Sequence, residues 1–399
     1  MSGHPLSSFD LRDPPAGFVD DPFVWYDALR EDAPLRRLPD DSVLVTGYDA
    51  CVEIYNSDAF VSDKRNLFLP KFGDTPLYEH HTTSLVFNDP PYHSRVRRTL
   101  VEALKPRSIQ PTVDMLTMRV AELLDELRDR REVDLLEAYA SRIPVEVICN
   151  LLTVPNEDRD DLRRWSLAIL GALEPAVDEM QLEVGNQAVV EFLGYLRELV
   201  RRRRREPVPG PNVLSTLIAQ QDQGELSELE LLHNCIFLLN AGHETTTNLI
   251  GNGIHMLLTH PEQRRKVIEE PARVRLAVEE VLRYQSPNQL GNREVASPAT
   301  VQGYQFAPGD QLTLCIGGAN RDPSRFADPQ EFRIERSPNP HIAFAAGAHT
   351  CAGMALARIE GKIALAEFFR AFPNAKLAGA TRYRRRLRFR GLESLHVRL

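Results

Sequence analysis

The chain has 399 residues and a formal net charge of −8; 43% of it is hydrophobic and 26% charged. That composition excludes a disordered chain, and the acidic balance argues against general nucleic-acid binding, which relies on neutralising phosphates. The longest apolar stretches, such as residues 235–239, fall far short of the roughly 20 residues a membrane-spanning helix needs.

At roughly 150 residues per domain the length predicts two or three domains, or one large core. Residues 1–15 show no basic start followed by an apolar run, so no secretory leader is expected. The five cysteines stand at 51, 149, 235, 315 and 351, too scattered for a zinc pair or a disulfide framework. A reducing cytoplasm is the expected compartment.

In chain order, the first eighty residues mix short helices (23–31, 49–56) with a short strand (43–46). Helical periodicity then dominates over 90–103, 113–130, 135–152, 157–170, 180–204, 212–220 and 228–260. Strand-like stretches return at 294–301 and 311–316, a helix occupies 354–372, and the tail 387–399 reads as β structure. No repeat or linker divides the chain. The pattern predicts a mainly α protein with a small β part drawn from both ends, and this interleaving favours one continuous core. Arginines fill 201–205, where cations complement a helix C-terminus. They read as a solvated helix end before the turn 207–211 rather than as a nucleic-acid patch.

The helix 228–260 opens on Ser227-Glu228-Leu229-Glu230, a capping box. Its apolar first half gives way to Asn240-Ala241-Gly242-His243-Glu244-Thr245-Thr246-Thr247-Asn248. Glycine costs about 1 kcal/mol inside a helix, and β-branched threonines are poor helix formers. A polar block inside a buried helix is a local inconsistency of the kind that marks functional sites. Ala241-Gly242 would let a flat ligand approach the backbone, with Glu244 and Thr245 supplying a carboxyl and a hydroxyl. The alternative is a kink with threonine hydroxyls bonded back to the preceding turn.

Cys351 lies in Phe344-Ala345-Ala346-Gly347-Ala348-His349-Thr350-Cys351-Ala352-Gly353, ahead of an amphipathic helix. Small neighbours expose backbone N–H groups to the sulfur, and a helix N-terminus favours a thiolate. With no second cysteine nearby, a heme iron is the natural partner. The other four cysteines lie in apolar runs and read as inert core thiols.

Together these motifs resemble the bacterial cytochrome P450 family of heme-thiolate monooxygenases, over essentially the whole chain. Residues 241–246 are similar to its oxygen-activation motif, and Glu280-Val281-Leu282-Arg283 to its E-x-x-R ion pair. Residues 344–353 are similar to its heme loop, and His93 with Arg97 to its H-x-x-x-R helix. The resemblance implies a single-domain fold over 1–399. A long central helix would cover heme b. A β-rich lobe would come from about 1–60, 288–316 and 380–399, and a helical lobe from about 85–285 and 354–372. The heme loop usually begins F-G-x-G; here Ala345 stands at the second position, and a positive φ there would strain its Cβ.

The resemblance implies Cys351 as the metal ligand. His93, Arg97, Ala241, Arg293, Phe344, His349 and Gly353 would complete the heme site, and Thr245 with Glu244 would relay protons to dioxygen. His93 and Arg97, four apart on a helix marked at its start by Asp89 and two prolines, share one face and suit propionates. Glu280 and Arg283 would form a structural ion pair completed by Arg333 or Arg336; the sequence does not choose. No flavin or iron–sulfur motif is present, so a separate ferredoxin and its reductase would supply electrons, with Arg95, Arg98 and Arg358 as candidate docking cations.

The expected substrate is a small to medium, largely apolar organic molecule bound to a monomeric enzyme. Leu85, Val86, Phe237, Asn240, Ala241, Asn288, Leu290 and Leu392 are the candidate contacts. Wider apolar walls are expected from Phe68, Phe72, Leu77, Tyr78 and Phe87, and from Leu170, Leu173, Val177 and Met180. Asn240 or Asn288 would hydrogen-bond an oxygenated substrate, or else bond backbone or water. The rival activities are a peroxide-driven heme enzyme and a heme protein without turnover. No nucleic acid and no membrane is expected as a partner.

Overall fold

The computed structural model describes residues 6–210 and 212–399. Residues 1–5 of the opening read above, and the last residue of the 207–211 turn, lie outside them. Phe23–Asp32 (α1), Tyr48–Tyr55 (α2), Arg65–Phe72 (α3) and Pro76–Thr83 (α4) alternate with Leu35–Arg37 (β1), Val43–Val45 (β2) and Phe60–Val61 (β3). Tyr92–Ala103 (α5), Pro106–Leu127 (α6) and Glu132–Asp134 (β4) lead through a π turn at Leu136–Ala140 to Arg142–Leu151 (α7). Then come Arg159–Gly171 (α8), Glu179–Arg205 (α9), Val213–Asp222 (α10), Glu228–Thr259 (α11), Pro261–Glu269 (α12) and Val274–Tyr284 (α13). The chain ends with Leu290–Val295 (β5), Ala299–Val301 (β6), Tyr304–Phe306 (β7), Gln311–Cys315 (β8), Ile316–Ala319 (α14), Met354–Ala371 (α15), Lys376–Leu377 (β9) and His396–Arg398 (β10).

The organising element is α11. Its capping box forms as expected: Glu230 N–H donates to Ser227 Oγ, and Ser227 N–H donates to Glu230 Oε2. Its 32 residues span about 48 Å at 1.5 Å each, and they pack against α7, α8, α13 and α15. The polar block does not break the helix. The main sheet runs β1-β2-β8-β5-β3 and joins both ends of the chain, with β2 parallel to β8 and β5 antiparallel to it. Smaller sheets are β4-β10-β9 and β6-β7. This is the mainly helical architecture with a minor β part that the pattern predicts.

Several boundaries differ. The helix expected from 90 starts at Tyr92, and Asp89 does not cap it. Asp89 instead accepts the N–H groups of Ser62 and Asp63. The helix expected at 113–130 starts at Pro106, where a proline's missing N–H has no partner to lose, and it carries Pro111 within it, beyond the first turn, at the cost of one backbone hydrogen bond. The strand expected at 294–301 divides before Pro298 into β5 and β6. Only the end of the expected β tail is a strand, β10. Upstream of it Phe389 and Leu392 make isolated bridges, and Arg390 there donates to the carbonyls of Val19 and Asp20. The arginine run closes α9, with Arg204 paired to Asp222 and Arg203 bonded to Thr153.

The expected Glu280–Arg283 pair is wholly buried. Arg283 Nε and Nη2 each donate to the Glu280 carboxylate at 2.8 Å, and Nη1 reaches the carbonyls of Asn320 and Pro329. Arg336 completes the pair through Nε, at 3.2 and 3.3 Å. Arg333 reaches Glu280 only through its backbone N–H, because its side chain turns out to Asp328. Breaking a buried pair typically costs about 3–5 kcal/mol, whereas an exposed pair is worth about 0–1 kcal/mol. Arg336→Met is therefore expected to lower the unfolding free energy by about 3 kcal/mol, and Arg333→Met by less than about 1 kcal/mol. Equilibrium unfolding in urea checks this, and equal losses would contradict the assignment.

Candidate active site

Two walls face each other across one cavity. The first is the loop before α15. Cys351 N–H donates to Phe344 O at 2.9 Å, which folds the loop back on itself. Gly347 has φ +68°, and a Cβ there would lie 2.1 Å from the Tyr55 carbonyl oxygen, so no other residue fits. Ala345 does adopt a positive φ, +57°, the strained conformation expected of it. Cys351 is exposed to the cavity that it lines. Burial pushes its thiol up, while the Gly353 N–H and the charges of Arg97 and Arg358 pull it down. The helix-start environment is thus outweighed by burial, and binding to a metal ion would deprotonate the thiol. The other four cysteines are buried, and burial pushes Cys149, Cys235 and Cys315 up to about 12, as inert core thiols require.

The second wall is α11, which presents Asn240, Ala241, Gly242, Thr245, Thr246 and Leu249 to the cavity. Thr245 Oγ1 donates to Ala241 O at 2.8 Å, the back-bonding weighed above. Gly242 has a different reason from the one expected. A Cβ there would lie 2.5 Å from Ile148 Cδ1, so the glycine admits α7; close approach from the cavity falls to Ala241. Glu244 is buried and is not among the cavity-lining residues. Its Oε1 accepts from Arg386 at 2.5 Å, while Oε2 has no partner. Burial pushes its pKa up, against the pull of Arg386 and Arg384.

A cationic cluster closes one side. His93, Arg97, Arg293 and His349 all line the cavity. The His93 and His349 rings lie 4.0 Å apart, and burial with neighbouring cations lowers His93 to about 4. His349 Nε2 lies 3.3 Å from Asp89 Oδ1. Arg97 donates to Thr350 O, and Arg293 to Asn292 O while stacking on Tyr55. Neither guanidinium bonds a carboxylate among the described residues. A heme fits these donors: a sulfur ligand on one wall, small residues on the other, and two guanidiniums free for its two propionates.

Seven of the eight expected substrate contacts line the cavity: Leu85, Val86, Phe237, Asn240, Ala241, Asn288 and Leu290. Leu392 does not. It is 1% exposed within the core, and Phe389, three residues earlier in the irregular tail, takes the cavity position. Phe87, Leu170 and Leu173 line the cavity, but Phe68, Phe72, Leu77, Tyr78, Val177 and Met180 do not. Phe68, Phe72 and Leu77 are core, and Met180 is exposed. Of the expected docking cations, Arg95 pairs with Glu230 and Arg358 with Glu279, and Arg98 is exposed.

A scan against family profiles matches the cytochrome P450 profile over residues 35–377. The chain belongs to the cytochrome P450 family. Biotin biosynthesis cytochrome P450 of Bacillus subtilis is 35% identical over 95% of this chain and 96% of its own length. 6-Deoxyerythronolide B hydroxylase of Saccharopolyspora erythraea is 36% identical over 94% and 95%. The crystal structure of P450BioI with hexadec-9Z-enoic acid ligated acyl carrier protein superposes with a TM-score of 0.91 at 34% identity, covering 96% of this chain and all of the other. This protein is thus a cytochrome P450 monooxygenase. No helix among the described residues is long and apolar enough to cross a membrane.

Sequence reasoning missed Tyr55, Lys64, His80, His81, Glu360, Arg388 and Phe389 in this P450 cavity. Glu360 carried a signal: Leu356, Glu360 and Ala364 share one buried face of α15 at a spacing of four. Burial raises its pKa from 4.5 to about 8, and Oε2 has no partner. The stability contributed by the protonated form is fully present below pH 4.5 and is lost as pH rises through about 8. Glu360→Gln fixes the neutral form. It should match the parent near pH 4.5 and exceed it in stability by a few kcal/mol near pH 8, gaining about 1.4 kcal/mol per pH unit between. Urea unfolding at both pH values checks this, and a pH-independent difference would contradict it.

Proposed function

We propose that this P450 is an external monooxygenase that puts one atom of dioxygen into a small to medium, largely apolar molecule, a natural product or lipid. It would use heme b and electrons from a separate ferredoxin and its reductase. The observation that carries this reading is the Cys351 sulfur on one wall of an apolar cavity, with Thr245 on the other and the unpaired guanidiniums of Arg97 and Arg293 at its side. The chain acts as one unit over 1–399, since both walls need residues from distant parts of it. Two relatives support the substrate class: one is named for hydroxylating 6-deoxyerythronolide B, and P450BioI was solved with a hexadecenoic acid ligated acyl carrier protein.

The heme, when bound through a cysteine thiolate, supplies dioxygen activation and oxygen–oxygen cleavage. Cys351 Sγ would hold the iron, helped by the Gly353 N–H and by Phe344 beside it. Arg97, Arg293, His93 and His349 would hold the propionates. Ala241 keeps α11 small on the side that would face the heme. Thr245 Oγ1 donates its proton to Ala241 O, which leaves its oxygen able to accept a hydrogen bond from a group in the cavity. Glu244, one residue back, lies outside the cavity lining and is paired with Arg386, and its raised pKa suits it to carry a proton. Arg98 is the remaining exposed candidate for contact with the ferredoxin.

Asn240 and Asn288 line the cavity, each with a buried Oδ1 that has no partner. They orient an oxygenated substrate by accepting from its hydroxyl. A hydrogen bond worth about 1 kcal/mol corresponds to about fivefold in affinity. Asn240→Leu and Asn288→Leu are each expected to weaken the substrate-induced spin shift of a hydroxylated ligand about fivefold and to spare its deoxy analogue. Equal effects on both ligands would contradict the role. Cys351→Ser is expected to abolish the red-shifted Soret band of the reduced carbon monoxide complex. A parent protein without that band would overturn the whole assignment.

A further inference from the structure

The cavity carries more cationic and donor groups than two propionates need. Lys64, the residue that leads into α3, is 2% exposed, lines the cavity, and has no hydrogen-bond partner for Nζ. Its carboxylate neighbours are already engaged: Asp89 by Ser62, Asp63 and His349, and Glu294 by Asn66 and Gln311. Arg388 lines the same cavity, and its guanidinium donates only to neutral oxygens, of Leu173, Leu290 and Asn292. Glu174 lies near it; its Oε2 accepts the backbone N–H groups of Leu387 and Arg388, and its Oε1 has no partner. His81, also 2% exposed and cavity-lining, keeps an unpartnered Nε2 among the rings of Phe68, Phe72 and Phe87.

These groups act on one another. Burial, with the charges of Arg293 and Arg388, lowers Lys64 to about 7, against Glu294 and Asp89. Burial, with Lys71, His233 and Arg388, keeps His81 neutral. Lys64, Arg388 and His81 thus line one cavity that is otherwise mainly apolar, and the buried Lys64 amine bonds no carboxylate. Leaving a buried ammonium unpaired is costly, and the chain gains nothing structural from it, since Nζ bonds no protein atom.

We propose that Lys64, with Arg388 and His81 beside it, forms a carboxylate-binding subsite, so that the substrate of this P450 is an amphipathic organic acid whose apolar part extends from this patch toward the heme. The inference rests on the monooxygenase reading above and names its substrate class. A heme propionate is the other carboxylate that could reach Lys64. Arg97, Arg293, His93 and His349 would already serve both propionates, whereas Arg388 bonds Leu173 and His81 packs on Phe87, both expected substrate walls.

The test uses the heme-loaded enzyme with octanoic, dodecanoic and hexadecanoic acids, their methyl esters and the matching alcohols, reading the dissociation constant from the spin shift. At least one acid is expected to bind about tenfold or more tighter than its ester and alcohol, as a charged hydrogen bond would give. Lys64→Met should erase that preference, leave the ester and alcohol within about twofold, and retain full heme content and the normal carbon monoxide band. Lys64→Arg should restore the preference for the acid. The proposal is overturned if no acid is preferred over its ester. It is also overturned if Lys64→Met loses heme or fails to fold, or if it keeps the acid preference; Lys64 would then serve a propionate or the fold. A parent protein lacking the carbon monoxide band would instead sink the monooxygenase reading itself.

Discussion

The Glu280 carboxylate is the constraint on which the cysteine side of this molecule depends. It is fully buried, and such a charge is tolerated only when donors surround it. Arg283, Arg336, the Arg333 N–H and Asn339 all converge on it. Through Arg283 the same hub fixes the carbonyls of Asn320, Pro329 and Glu331. Asn320 then accepts the N–H of Ile342, where the chain enters the cysteine loop. Glu279, next along α13, holds the exit: it pairs with His341 and with Arg358, which stacks on Phe344. Two adjacent carboxylates on one helix therefore clamp both ends of the loop, and the position of Cys351 is inherited from them.

The opposite wall meets a different demand. A helix that faces a ligand plane must be small on that side, and one that crosses a packed core must be apolar on the other. Ala241 meets the first demand, and Gly242 lets Ile148 of α7 come close on another side. The hydroxyl of Thr245 satisfies itself within the helix, so α11 keeps its ladder while carrying a polar atom into the cavity. The polar block and the back-bonded threonine are thus one arrangement. The inconsistency between α11 and its surroundings is confined to side-chain atoms such as Asn240 Oδ1, His243 Nδ1 and Glu244 Oε2, which lack partners.

Much of this was legible because its cause is local. A capping box, a run of small residues before a cysteine, and i,i+4 spacing on α5 all act over one or two turns. The strained Ala345 could be anticipated from a glycine position in a family pattern. What escaped depends on long-range satisfaction. Arg333 and Arg336 are equivalent in sequence, and only the path of the loop turns one toward Glu280. Leu392 and Phe389 exchange roles because the tail is held by Arg390 bonding to Val19 and Asp20, not by strand pairing. Lys64 and Arg388 drew no reading at all, since nothing near them in sequence tells that they are enclosed. Prolines misled in both directions: Pro90 and Pro91 precede a helix without starting it, whereas Pro106 starts one.

The buried charges also divide by place, and this division bears on chemistry. The buried acids, Glu244, paired with Arg386, and Glu360, without a charged partner, sit on α11 and α15, on or beside the two walls that would sandwich a heme. Burial raises the pKa of both, which makes each better able to give a proton than an exposed carboxyl. The cations Arg97, Arg293, Lys64 and Arg388 come from α5, the main sheet and the segments flanking it, and they line the cavity. An apolar chamber with positive charge on one side can hold a molecule by an anionic end while leaving its hydrocarbon part near the metal. Position along the chamber would then be set by the distance between the charged end and the carbon presented to the heme, not by contacts at that carbon. The Glu279–Glu280 clamp would fix the sulfur end of that distance, and the bonds of Arg388 to Leu290 and Asn292 of β5 the other.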